Sequence, residues 1–399
     1  MKMQPSLPVV RMKPKSNARA VRHGFPWVYD NEMVLDRRSK ALAPGTLAIL
    51  EDELRQPMGI VGVNPKSRIF GRVLERDVEV SIDRDWLVAR LTHALALRQR
   101  LYFAPYYRLV HAEADGLPGV VIDRFGDIAV IQPNAAWADV MLDDLVAALV
   151  QVTGVTTVLK SASGRARVLE GLDEVSGVVH GTAPTAPVEV PMNGATYMAD
   201  LMGGQKTGLF FDQRPNHAFT AELSQGARVL DVFSHVGGFG LAALANGAAH
   251  VLAVDGSEPA LALAIEGAEK SGVADRFETL RGDAFDVLTN LGEQGEKYDV
   301  VVCDPPAFAP SKNALDAGLR AYERIARLAA MVVAPGGYLV LCSCSHAVDL
   351  AKFRTACARG IGRAGRSPQL IHTGFAGPDH PQLPQLSESG YLKALYFRL

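Results

Sequence analysis

The stretch Val229-Leu230-Asp231-Val232-Phe233-Ser234-His235-Val236-Gly237-Gly238-Phe239-Gly240 decides the fold of the C-terminal half. Residues 229–232 form a short apolar strand with an acid next to its end, a glycine-rich turn follows, and a helix over 238–246 begins inside the turn. Glycine is needed there because it lets backbone approach a ligand closely. Outward from this turn the same rhythm repeats. Strands are expected at 251–255, 277–280, 300–303 and 337–343, and helices at 259–272 and 317–333. Strands alternating with helices predict an α/β domain, a parallel sheet covered by helices on both faces. In such a sheet, ligands bind at the carboxyl ends of the strands beside the point where strand order reverses.

The residues at those strand ends suggest the ligand. The glycine spacing is not G-x-G-x-x-G, which argues against a nicotinamide dehydrogenase. Asp231 stands just before the turn, as suits a cofactor carrying an amino-acid ammonium group. Asp255 closes the second strand, where a carboxylate can accept hydrogen bonds from ribose hydroxyls. Asp283, in Arg281-Gly282-Asp283-Ala284-Phe285, closes the third and can meet an adenine amino group. Any one acid at a strand end can be only a helix cap. Three at successive strand ends favour S-adenosylmethionine and a methyltransferase.

The fourth strand runs into Cys303-Asp304-Pro305-Pro306-Ala307-Phe308-Ala309-Pro310-Ser311-Lys312. Two prolines stiffen the chain as it leaves the sheet. Asp304 and nearby carbonyls would then face a planar base, with Phe308 available to stack on it. The fifth strand ends in Leu341-Cys342-Ser343-Cys344-Ser345-His346. Carbon 5 of a pyrimidine is a poor nucleophile. A thiolate adding to carbon 6 makes carbon 5 able to attack a sulfonium methyl, and loss of the carbon-5 proton then releases the thiolate. Cys342 and Cys344 would share a strand face, and the rim position, Cys344, is the expected nucleophile. Cys303, Cys342 and Cys357 are expected to be buried small hydrophobes. No cysteine pair has zinc-site spacing, so no metal is expected. The base that takes the carbon-5 proton stays open between Asp304 and Lys312.

The N-terminal half has a different texture. Short β segments at 46–51, 59–63 and 69–74 are separated by turn residues and predict a small barrel or sandwich. A helix follows over 85–100 with Asp85 as its cap. A hairpin is expected around Phe125-Gly126-Asp127, then a helix over 136–151 and a strand at 156–160. The proline-bearing segment 181–191 marks the joint into the catalytic half. With 399 residues the chain is too long for one ordinary core. No apolar run reaches the roughly 18–20 residues that span a bilayer, and no signal-like apolar stretch follows Lys2. Four cysteines, all in the last quarter, suit a reduced cytoplasmic enzyme. Net charge is only −2, but its distribution is uneven. Lys2, Arg11, Lys13, Lys15, Arg19 and Arg22 form one acid-free run, and Lys352, Arg354, Arg359, Arg363 and Arg366 make a second basic set. Either is a solvated face or an RNA-binding one.

Taken together, these motifs resemble the bacterial large-subunit ribosomal RNA methyltransferases that make 5-methylcytosine. The resemblance spans nearly the whole chain. It rests on R-A-V-R-H-G-F-P-W-V-Y at 19–29, Y-R-L-V-H-A-E-A-D-G-L-P-G-V-V-I-D-R-F at 107–125 and G-Q-K-T-G-L-F-F-D-Q-R at 204–214. D-P-P-x-F and C-S-C-S complete it. It implies an N-terminal PUA domain (1–80), a central α/β domain (81–188) and a Rossmann-like class I methyltransferase domain (189–399). By resemblance, Cys344 is the nucleophile and Asp304 positions the target base. Phe233, Ser234, Gly237, Asp255, Asp283, Ala284, Pro305 and Gln213 join Asp231 and Asp304 at the cofactor. Pro306, Phe308, Lys312, Arg19 and Arg22 face RNA, and Lys206, Thr207, Asp212, Gln213 and Arg214 form a loop over the cleft. Cys342 is a departure, a second cysteine where the family often has none. The expected partner is large-subunit ribosomal RNA, no membrane is involved, and a homodimer is left open. A guanine methyltransferase on the same scaffold and an idle RNA-binding protein are the alternatives.

Overall fold

A computed structural model describes residues 7–203 and 208–399. Lys2, Lys206 and Thr207, named above, lie outside the described residues. The chain divides into two compact units. One comprises Met1–Pro184 with Asp379–Ser389, the other Thr185–Pro378 with Gly390–Leu399. No described helix is long and apolar enough to cross a membrane.

The first unit holds two five-stranded sheets. In the N-terminal sheet, Leu47–Glu51, Pro57–Val63 and Ile69–Glu75 form an antiparallel meander. Val9–Arg11 adds in parallel at one edge and Trp27–Tyr29 antiparallel at the other. These edge strands are three residues each, too short to show an alternation in the sequence. Helix Arg84–Leu101 is capped by Asp83, whose side chain accepts from Trp86 N. The cap is therefore not Asp85, which lies inside the first turn. The hairpin at Gly126 pairs Phe125 with Ile128, and Gly126 takes the left-handed φ of 65° that the tight turn requires. The helix expected over 136–151 is two helices, Ala136–Val140 and Leu142–Thr153. Trp137 holds the first of them in place: it is buried, donates to the Pro118 carbonyl at 2.8 Å, and packs where a Cβ on Gly62 would sit 2.6 Å from its own Cβ.

Asp379–Ser389 belongs to this unit through buried charge. Arg98 pairs with Asp115 at 2.6 Å and donates to the Asp379 carbonyl at 2.7 Å. The Asp379 carboxylate accepts the Arg108 backbone N–H at 3.1 Å, and Arg108 pairs with Asp123 at 2.6 Å. Each buried charge has a partner, as burial demands.

The second unit is built on a seven-stranded sheet. Its strands, in chain order, are β1 (Arg228–Val232), β2 (His250–Asp255), β3 (Phe277–Arg281), β4 (Tyr298–Cys303), β5 (Val333–Ser343), β6 (Gln369–Gly374) and β7 (Lys393–Arg398). Spatial order is β3-β2-β1-β4-β5-β7-β6. The first five are parallel, and β7 is antiparallel to both β5 and β6. Val300, Val301 and Val302 are all fully buried, because helices cover both faces and leave no side for polar residues. Strand order reverses between β1 and β4, so their carboxyl ends frame a crevice. The fold is Rossmann-like, with the PUA-like sheet placed N-terminally in the first unit.

Candidate active site

The glycine turn after β1 is held in an uncommon backbone. Phe233 and His235 have φ of 63° and 51°, and Gly237 has φ of 82°. Left-handed backbone at non-glycine residues costs free energy and persists only where surroundings impose it. Here Ser234 N donates to the Val254 carbonyl at 3.0 Å and His235 N to Asp255 Oδ2 at 2.9 Å. Asp231 lies below, fully buried, with Oδ2 accepting the Gly240 N–H at 2.8 Å. Burial, reinforced by the neighbouring Asp255 charge, pushes the Asp231 carboxyl up to about 7.

A cleft opens at the carboxyl ends of β1 and β4. Gln213, Phe233, Ser234 and Asp304 line it together with His217 and Phe239. Gly238 has no room for a side chain, since a Cβ there would lie 2.8 Å from His217 Nε2. His217 is packed on Phe239 at 4.5 Å, and burial holds its pKa down to about 3. Asp255 reaches this turn through His235, and its Oδ1 accepts Ser257 N at 2.8 Å. Asp283 adjoins the same region, where Gly282 N donates to the Asp255 carbonyl at 3.1 Å. Its Oδ1 caps helix Ala284–Glu293 through Phe285 N and Asp286 N, and Ala284 is buried as that helix begins.

The D-P-P turn and the cysteine segment lie across β4 and β5. Asp304 N donates to the Val232 carbonyl at 3.2 Å, which joins the D-P-P turn to the glycine turn. Pro305 is buried, Pro306 exposed. Phe308 is half-buried, its ring 6.4 Å from Phe233, 6.0 Å from Phe285 and 5.0 Å from Tyr322. Cys344 is partly exposed and its Sγ lies 4.0 Å from the Pro305 carbonyl oxygen. Cys303, Cys342 and Cys357 are all buried. Burial pushes the Cys342 thiol well above its ordinary range. Lys312 is exposed, and its side chain makes no hydrogen bond or ion pair with another described residue. Among the described residues no side-chain cluster fits a metal ion.

Several residues here were not read from the sequence. Tyr322 bridges the serines that flank Cys344, its hydroxyl 2.9 Å from Ser343 Oγ and 2.8 Å from Ser345 Oγ. Lys393, buried on β7, donates to the Ser345 and Val348 carbonyls at 2.9 and 2.7 Å. The one available signal was a lysine inside the otherwise apolar Leu392–Phe397 run. In the first unit, Arg22 pairs with Asp52 at 2.5 Å and Arg11 with Glu51 at 3.0 Å. Arg19 stays exposed with no ion pair among the described residues.

The sequence pattern of a family described as S-adenosylmethionine-dependent methyltransferase matches residues 135–398. The chain belongs to that family. A PUA-like domain pattern matches residues 10–76 of this methyltransferase. A relative named ribosomal RNA large subunit methyltransferase I, from Aeromonas salmonicida, is 38% identical over 336 residues, covering 83% of this chain and 85% of its own. The protein of that name from Aliivibrio fischeri is 35% identical and covers 96% of this chain and 98% of its own. A structure described as a SAM-dependent methyltransferase from Streptococcus mutans superposes with a TM-score of 0.83 at 19% identity, covering 98% of this chain and all of its own. Another, a methyltransferase complexed with SAH, superposes with the same score and covers 99% of this chain.

The methyltransferase uses S-adenosylmethionine, and the cleft fits it. Ser234 Oγ, Gln213 Nε2 and His217 Nδ1 are buried in the cleft wall with no hydrogen-bond partner among the described residues. Asp231 Oδ1 is likewise unpartnered beneath the turn. Buried polar atoms are nearly always satisfied, so such a cluster suits a polar ligand.

Proposed function

We propose that this methyltransferase acts on large-subunit ribosomal RNA and forms 5-methylcytosine through a covalent adduct at Cys344. The RNA substrate is supported by relatives that carry that name along nearly the whole chain. The chemistry is carried by one observation: Cys344 is the cysteine with exposed surface, and its thiol faces the Pro305 carbonyl of the D-P-P turn.

In this reading Asp255 holds the ribose and Asp283 the adenine amine. Phe233, Ser234, Gly237 and Gln213, with Asp231 behind the turn and Ala284 and Pro305 at the rim, shape the rest of the cofactor cleft. Bound S-adenosylmethionine supplies an electrophilic methyl on a sulfonium. A target cytosine enters between Phe308 and Cys344, oriented by Asp304, with Pro306 and Lys312 on the approach. Addition of the Cys344 thiolate to carbon 6 raises electron density at carbon 5, the position to be methylated. Loss of the carbon-5 proton to a base re-forms the double bond and expels the thiolate. Tyr322 and Lys393 fix the Ser343–Ser345 segment so that the thiol keeps its place. Arg19 and Arg22 belong to the RNA-binding face of a PUA-like part (1–80), followed by a central part (81–188) and the catalytic part (189–399).

The test uses large-subunit ribosomal RNA carrying 5-fluorocytosine. Fluorine cannot leave as a proton does, so wild-type enzyme should be trapped covalently. Cys344→Ala should form no adduct and transfer no methyl while binding S-adenosylmethionine normally, and Cys342→Ala should keep most activity. An adduct that needs Cys342 or Cys303 overturns the nucleophile. A methylated guanine made without any cysteine overturns the cytosine reading.

A further inference from the structure

Helix Leu315–Val332 buries Tyr322, Ile325 and Ala329 against the sheet side and exposes Arg320, Arg324 and Arg327. Their spacing places all three on one helix face. Helix Leu350–Arg363 packs tightly beside it, since a Cβ on Gly360 would lie 2.3 Å from the Glu323 carbonyl oxygen. That close approach brings Arg363 to Glu323 at 2.5 Å. The result is a groove of about 690 Å³ lined by Arg320, Glu323, Arg324, Arg327 and Arg363. Glu323, its acid, is already paired. The Arg320 and Arg327 side chains make no ion pair or hydrogen bond with any described residue, and Asp316, one turn before Arg320, does not pair with it. Gathering guanidinium groups that no carboxylate offsets is unfavourable in the free protein. A multiply charged anion would relieve it, and Arg matches phosphate oxygens bidentately.

The groove also adjoins the acceptor site. The Arg324 guanidinium sits over the Phe285 ring at 4.6 Å, and Phe285 lies 6.0 Å from Phe308. Those three side chains lead from the groove to the D-P-P turn. We propose that this groove grips phosphates of the RNA strand that flanks the target nucleotide. The inference rests on the RNA substrate proposed above. It explains why a chain of nearly balanced charge keeps an arginine face on its catalytic unit. Phosphate contacts set the register of the strand, and Phe308 and Asp304 then meet the base.

The test compares full-length wild type, the triple variant Arg320→Gln/Arg324→Gln/Arg327→Gln, and the double variant Arg320→Gln/Arg327→Gln that leaves Arg324 on Phe285. Affinity for transcribed large-subunit ribosomal RNA is measured from about 50 to 200 mM salt, a range over which phosphate contacts are strongly screened. Each lost phosphate contact lowers the slope of log affinity against log salt by roughly 0.7–0.9. The triple variant should therefore lose about 2–3 and the double about 1.5–2, with S-adenosylmethionine affinity and the unfolding midpoint unchanged. Folded variants with the wild-type RNA slope overturn the groove assignment even if wild type methylates ribosomal RNA. Wild type that binds RNA with the expected slope and methylates none overturns the substrate reading and leaves the groove standing.

Discussion

Replacing Asp255 with alanine removes one carboxylate that serves both the turn and the ligand. Its Oδ2 accepts His235 N at 2.9 Å and its Oδ1 accepts Ser257 N at 2.8 Å. Hydrogen bonds to a charged group contribute about 1.5–3 kcal/mol each. Because Asp255 is partly exposed, the low end applies, and alanine should cost the cofactor-free protein about 3 kcal/mol. His235, at φ 51°, loses part of what holds its strained backbone. Each carboxylate oxygen still has a lone pair for a ribose hydroxyl. Losing those contacts should weaken S-adenosylmethionine binding by about 1.5–3 kcal/mol, or roughly 12- to 160-fold in Kd. Asp255→Asn keeps one carbonyl oxygen but turns an amide donor toward a backbone N–H, so it should fall between wild type and alanine on both scales. Urea unfolding gives the stability, and calorimetry at matched folded fraction gives Kd. A folded Asp255→Ala protein that binds S-adenosylmethionine as wild type does would remove Asp255 from the cofactor site.

Two further outcomes follow from buried groups. Burial raises the Asp231 carboxyl from 3.8 to about 7, so between those values the folded chain keeps a proton that the unfolded chain has released. This group therefore lowers stability as pH rises through that window, by at most about 1.4 kcal/mol per pH unit. Asp231→Asn removes that slope and keeps an acceptor for Gly240 N, so the variant should gain on cofactor-free wild type from pH 4 to 7 and no further above it. Urea unfolding across that range checks this, and a stability difference independent of pH would refute it. Tyr322→Phe strips the hydroxyl between Ser343 and Ser345 and should cost about 1–3 kcal/mol of stability. It should lower kcat while leaving S-adenosylmethionine affinity intact. Unchanged kcat would mean Cys344 does not depend on that bridge.

The catalytic half was largely legible in the sequence, because its signals are local. Val300-Val301-Val302 can be apolar without alternation only where both faces are covered, and the glycine turn, the strand-end acids and D-P-P each stand within a few residues of the strand they terminate. The expected shared strand face of Cys342 and Cys344 is not formed, because β5 ends at Ser343: Cys342 is buried within the strand and Cys344 lies partly exposed just past it. What the chain could not disclose locally was decided by contacts between distant segments. The antiparallel insertion of β7 between β5 and β6 depends on pairing Ser343 with Lys393, and no short-range pattern records such a register. Asp379 is assigned to the first unit by Arg98 and Arg108, more than 270 residues earlier. The arginine groove exists only because Gly360 lets two helices close to backbone contact. Local sequence sets conformational preference and apolar face. Which charge meets which, and which thiol keeps a path to solvent, are set by tertiary burial, whose cost depends on every neighbour brought in from elsewhere in the chain.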